Sequence, residues 1–178
     1  MGSFYATVLL RDASTDAIRE WCIDHERRAS VMSDGPFTLV ADGDALDESV
    51  ATLAEELSRD LSCLAMSAYV YDDDLLIFNV FRSGRLADHY RSQPGNPWDG
   101  TETAEVGPSG GKPGVLAAIF GGDNAAIDRV LHAEYVLESW RHHDLLELLS
   151  LPGHASSFRY RHLARGDSGH DPSDFTQT

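Results

Sequence analysis

A mixed α+β fold is predicted: a ferredoxin-like βαββαβ sandwich, extended by a β-meander and followed by a C-terminal helical subdomain and a final strand. Three observations predict it. Strand and helix periods alternate over residues 4–71 in the order β-α-β-β-α-β. Residues 63–92 read as three consecutive strands with tight turns at Asp72–Asp74 and Ser83-Gly84. Between Gln93 and Gly114 the composition shifts to Pro, Gly, Ser, Thr and Asp, and helical patterns dominate residues 115–149. The chain divides accordingly into a sandwich with meander at 1–92, a linker or long loop at 93–114, a helical subdomain with a final strand at 115–164, and a disordered tail at 165–178.

Residues 4–10, Phe-Tyr-Ala-Thr-Val-Leu-Leu, are strand formers bounded by Arg11-Asp12. From Ser14 the period changes: Ala17, Ile18, Trp21, Cys22 and His25 recur at helical spacing. Ser14 or Thr15 can accept from the orphan amides of the first turn, and the helix is expected to end near Arg27-Arg28, cations at the negative end of its dipole. Two extended runs, Ala29–Met32 and Phe37–Ala41, flank Ser33-Asp34-Gly35-Pro36, a tetrad of turn formers, and so predict a hairpin.

After Asp42-Gly43-Asp44, the residues Leu46, Val50, Leu53, Ala54, Leu57 and Leu61 form the apolar stripe of a second helix, with Arg59 in its last turn. In the meander both registers of residues 64–71 and 75–81 are apolar, the pattern of strands covered on both faces, so Leu75, Ile77 and Phe81 are expected in the core. Leu86–Arg91 alternates with charge and reads as an exposed edge, where Asp88 and Arg91 would discourage pairing. Helices are expected at Val115–Phe120, Asn124–Ala133 and Tyr135–Leu149, the last stopped by Leu151-Pro152-Gly153, and a strand at Ser157–Leu163. No internal repeat occurs at a fixed period.

Charge narrows the function classes. The chain has 29 acidic and 14 basic residues, a formal net charge of −15, and Lys112 is its one lysine. Phosphate binding needs a positive surface, so nucleic acid is not an expected partner, and an anionic membrane is disfavoured for the same reason. No apolar run is long enough to span a bilayer, and the N-terminus lacks a basic region followed by an apolar run. The expectation is a soluble, cytoplasmic protein. Cys22 and Cys63, each among apolar neighbours, read as buried free thiols, and no Cys-x-x-Cys occurs.

Each stretch that invites a chemical reading has a structural one beside it. Consecutive carboxylates such as Asp72-Asp73-Asp74 point in opposite directions on an extended segment, so they suit a hairpin turn better than a Ca²⁺ or Mg²⁺ site. His142 and His143 diverge by about 100° on a helix and cannot share one ion, and His-Glu-x-x-His is absent. Gly107-Pro-Ser-Gly-Gly-Lys-Pro-Gly114 departs from a phosphate loop because Pro113 stands where Ser or Thr belongs and removes an amide. Gly-x-Ser-x-Gly does not occur. No metal, cofactor or catalytic residue is assigned from these motifs.

What remains is distributed. Residues 42–60 carry Asp42, Asp44, Asp47, Glu48, Glu55, Glu56 and Asp60 against Arg59. The first expectation is therefore a non-catalytic, acidic interaction protein, of the inhibitor or immunity type, that binds a basic protein through Asp44, Asp47, Glu48, Glu55, Glu56, Asp72, Asp73 and Asp74. The ordinary alternative for these residues is a solvated helix face. The second expectation is an enzyme or small-molecule binder with a pocket between the sandwich and the C-terminal helices, lined by Trp98, Tyr135, Trp140, His142 and His143. A third is a homo-oligomer joined through the meander edge.

Overall fold

The structure, a computed structural model, describes residues 2–93, 107–156 and 176–177. The chain runs β1 (Tyr5–Arg11), α1 (Thr15–Asp24), β2 (Ala29–Asp34), β3 (Phe37–Asp42), α2 (Val50–Asp60), β4 (Leu64–Tyr71), β5 (Leu75–Arg82), β6 (Arg85–Arg91), β7 (Ser109–Gly110), α3 (Pro113–Phe120), α4 (Asn124–His132), α5 (Glu138–Leu148), a short 3₁₀ helix (Gly153–Ser156) and β8 (Thr176–Gln177). The strands form one antiparallel sheet in the order β7-β6-β5-β4-β1-β3-β2-β8. The fold is thus mixed α+β, as the periodicity predicts.

Element ends follow from local hydrogen bonding. Ser14 caps α1 by accepting from the Ala17 amide at 3.1 Å. The helix stops at Asp24 rather than near Arg28, since Glu26 takes a left-handed φ of 53° and turns the chain out. α2 begins at Val50, later than its apolar stripe suggests, because aspartates upstream compete for the backbone. Asp42 Oδ1 accepts from the amides of Asp44 (2.6 Å) and Ala45 (2.8 Å), and Asp47 Oδ1 accepts from that of Ser49 at 2.8 Å.

The β4–β5 connection is the three residues Asp72–Asp74, with Asp72 at φ 48° and Asp73 at φ 61° both left-handed, and the Asp74 amide donates to the Tyr71 carbonyl at 2.9 Å. The β5–β6 turn has two residues, Ser83 and Gly84, both left-handed, the hairpin type whose twist matches the flanking strands, and there glycine is required twice over. Its φ is 74°, and a Cβ would meet the Cβ of Arg59 on α2 at 2.6 Å.

Both faces of the sheet are covered, which explains the two apolar registers. On one face α1 and α2 pack with Val8, Leu10, Val31, Val40, Leu75, Ile77 and Phe81. On the other, Leu116, Ile127, Leu131, Leu145 and Leu149 from α3, α4 and α5 pack with Leu9, Leu39, Met66, Leu76, Phe78 and Tyr90. Residues 115–149 therefore share a hydrophobic cluster with the strands. Phe78 is fully buried and stacks on Tyr90, ring centroids 5.0 Å apart.

Two edge expectations change. Asp88 is buried and does not stand out from an open edge: Oδ2 accepts from the Lys112 amide at 2.8 Å and Oδ1 from the His89 amide at 2.9 Å, tying the segment before α3 to β6. Beyond β6, the short β7 pairs, among the described residues, at Tyr90 and Arg91. What blunts β6 is a bulge: Asp88 opposes Val80 while Leu86 opposes Phe81, leaving Ala87 without a partner position. At the opposite edge, Thr176 and Gln177, in the tail expected to be disordered, pair with Val31 and Ser30. The strand expected at Ser157–Leu163 lies outside the described residues.

Candidate functional site

One end of the sheet gathers most of the acidic residues that stand out in the sequence. There the β4–β5 turn lies beside the segment that leads into α2. Phe4, exposed at 43%, sets its ring edge-on to Tyr69 (centroids 5.8 Å apart) and against Tyr71 (5.5 Å), forming an aromatic cluster that solvent reaches through Phe4. Burial pushes the Tyr69 phenol up to about 12, and the charges of Asp47 and Glu48 add to the rise, so these two carboxylates are electrostatic neighbours of the cluster.

The individual acids differ in what they can offer. Asp47, Glu48, Asp72 and Asp74 are exposed. Glu48 pairs with Arg91 at 3.2 Å, and Asp72 accepts from the Gly2 amide at 3.0 Å. Asp44 is exposed but pairs with Arg28, whose hydrogen bond holds the carboxyl below its usual range. Glu55 and Glu56 lie along α2, Glu55 exposed and Glu56 half-buried, and no hydrogen bond or ion pair engages either among the described residues.

Asp73 differs in kind. It is 7% exposed, and its carboxylate accepts from the Ser3 amide. Burial pushes the carboxyl up, but hydrogen bonds from Ser139 and Ser3 outweigh that and hold it below the ordinary range. The Glu138 amide, first in α5, donates to the Asp73 carbonyl at 2.8 Å. Asp73 is therefore turned inward, clamping the N-terminal segment and the start of α5 to the sheet, and contributes little to a surface.

Of the residues expected to line a pocket, Tyr135, Trp140, His142 and His143 do not converge. Trp98 lies outside the described residues. Among the described residues, side chains of the second core pack along the boundary between sheet and C-terminal helices. His142 is buried in that packing, its Nδ1 sharing a 2.7 Å hydrogen bond with the Tyr5 hydroxyl. Burial, with a lesser contribution from His143, pushes the His142 imidazole down to about 3, so it stays neutral at ordinary pH. Trp140 (58% exposed) and His143 are on the outer side of α5, with His143 Nε2 3.6 Å from Glu147. Tyr135 lies beyond them, in an open cleft of about 470 Å³ between α4 and α5.

The helical layer also contains a buried polar residue that no sequence motif announces. Arg141 is 3% exposed, and all five guanidinium donors are used. Nε and Nη2 donate to the two carboxylate oxygens of Glu138 at 2.7 and 3.2 Å. Nη1 donates to the carbonyls of Val130 (2.6 Å) and Leu131 (2.8 Å), and Nη2 to that of Ala133 (2.8 Å), so Arg141 closes the C-terminus of α4. Its guanidinium also stacks on Tyr135, 4.6 Å from the ring centroid. The one sequence signal is spacing: Glu138, Arg141 or His142, Leu145 and Leu149 form a helical stripe, one position out of phase with Leu137 and Trp140.

Burial pushes both cysteine thiols up to about 11, with Asp42 adding to the effect at Cys22. Among the described residues, no three His, Cys, Asp or Glu side chains converge on a metal-sized site, and no helix is long and apolar enough to cross a membrane. No protein-family model matches the chain, and no curated protein or solved structure matches it either.

Proposed function

We propose that this chain is a non-catalytic interaction protein that docks a basic protein partner, in the manner of an inhibitor or immunity protein, at the end of the sheet around Phe4. The observation that carries the reading is the solvent-reached ring of Phe4 against Tyr69 and Tyr71, with Asp47 and Glu48 as electrostatic neighbours. An aromatic platform edged by carboxylates suits an arginine or lysine side chain, because the ring quadrupole and the carboxylates both attract a cation. The net charge of −15 would speed encounter with such a partner over long range at low salt. Glu55 and Glu56 extend the acidity along α2 and serve steering more than contact. A cytoplasmic location accords with this reading.

We also propose that β1 to β4 with α1 and α2 form a ferredoxin-like unit, a reading supported by the strand order β4-β1-β3-β2 and by α1 and α2 packing on one face of those strands.

The test compares association of the wild-type chain with that of Phe4→Ser and Glu55→Lys/Glu56→Lys, at low and high salt. The charge reversals are expected to slow association and flatten its salt dependence, and Phe4→Ser to speed dissociation. Equal binding by all three proteins at both salt concentrations refutes the proposal.

A further inference from the structure

The cleft between α4 and α5 has charges of opposite sign on opposite walls. Its volume of about 470 Å³ is that of a small-ligand site. On the α5 wall stand Asp144 and Glu147, three residues apart and so on one helix face. On the α4 wall stands Arg129, with Val130 beside it, and Leu148 adds apolar surface from α5. Tyr135 closes one side and donates its hydroxyl to Asp144 Oδ2 at 2.6 Å. Burial, and then the hydrogen bond to Asp144, push that phenol up to about 12, so it remains a donor near neutral pH. The Tyr135 ring is itself fixed by the Arg141 guanidinium stacked on it. The Asp144 carboxylate is therefore held in place before any ligand arrives, which lowers the ordering cost of binding. The Arg129 guanidinium, in contrast, has no hydrogen bond or ion pair among the described residues.

We infer that this cleft binds a small zwitterion, an α-amino acid with an apolar side chain. Its ammonium would sit at Asp144 and Glu147, its carboxylate on the Arg129 guanidinium, and its side chain against Val130 and Leu148. A simple cation would leave Arg129 facing like charge. A simple anion would face two carboxylates. A zwitterion satisfies both walls, and an arginine fork is well shaped for a carboxylate. The inference is independent of the docking proposal, which concerns Phe4 and the acidic segment at the end of the sheet.

The experiment is titration of the isotopically labelled full chain by NMR with L-leucine, with 3-methylbutylamine, which lacks the carboxylate, and with 4-methylpentanoate, which lacks the ammonium. Leucine is expected to give saturable shifts at Arg129, Tyr135 and Asp144. Each half-ligand should bind about tenfold or more weaker, the worth of one charge-assisted contact. Arg129→Gln should erase the preference for leucine over the amine, and Asp144→Asn the preference over the carboxylate, with the amide spectrum elsewhere unchanged. No saturable shift with leucine up to about 10 mM, well beyond a millimolar dissociation constant, overturns the inference. Equal binding of a half-ligand, or preferences that survive both substitutions, does so as well.

Discussion

Arg141→Met tests whether the C-terminal helical layer is held by one buried guanidinium. The substitution roughly preserves the unbranched apolar stem while removing two hydrogen bonds to Glu138 and three to the carbonyls that end α4. The Glu138 side chain is only 6% exposed, so its carboxylate would be left buried without a counter-charge. Breaking a buried pair from one side costs about 3–5 kcal/mol. With a urea slope of about 2 kcal/mol/M, typical of a small domain, the unfolding midpoint should fall by about 1.5–2.5 M. Adding Glu138→Gln should recover part of that loss, since it removes the stranded charge although the guanidinium's hydrogen bonds to the α4 carbonyls are not restored. Urea titration followed by circular dichroism reads the wild type, both single variants and the double variant. A midpoint shift under about 0.5 M for Arg141→Met, or a double variant weaker by the sum of both single losses, would refute the reasoning.

His142 should make stability pH-dependent. Its folded-state pKa lies near 3, against 6.5 for the ordinary imidazole, so between those values the unfolded chain binds the extra proton. Stability is then lost as pH falls from about 6.5 towards 4, by about 1.4 kcal/mol per pH unit. The carboxylates held below 3.8, including Asp44, Asp60 and Asp73, titrate further down. Urea midpoints for wild type and His142→Gln should therefore diverge in that window, and parallel curves would contradict the assignment. The two cysteines should resist a disulfide reagent at pH 8 in the native state and both react after unfolding, because thiols pushed up to about 11 carry little thiolate and both are buried. Phe78→Ala should cost about 3–5 kcal/mol in the same urea assay, the usual loss for a fully buried phenylalanine.

The elements that the sequence made legible are those whose signal is periodic. Leu64–Tyr71 and Leu75–Arg82 are apolar in both registers because α1 and α2 cover one side of the strands and α3, α4 and α5 the other. Ser14 was readable as a cap, and Asp72–Asp74 as a turn. Less legible were places where a polar side chain overrides its pattern. Asp42 and Asp47 delay α2 by capturing backbone amides, and Asp88 looks like edge protection but is buried beneath the segment that precedes α3. In α5 the Glu138–Arg141 pair occupies the inward stripe, which rotates Trp140 out to solvent.

The candidate site was legible only as composition. Sequence spacing showed that residues 42–60 are acidic, but not that Asp73 turns inward or that Phe4 meets Tyr69 and Tyr71. The ring contacts join positions more than sixty residues apart, across the β1–β4 pairing, and no local pattern announces them. The cleft was hidden for a similar reason: Arg129 and Asp144 belong to different helices, whose facing is set by the core beneath them.

The most direct measurement of the docking account is affinity capture on the wild-type chain and on a Phe4→Ser/Glu55→Lys/Glu56→Lys variant, from the same native extract, at low and at high salt. The account predicts a basic protein retained by the wild type at low salt, released at high salt, and not retained by the variant. The same proteins retained by both chains at both salt concentrations would contradict it.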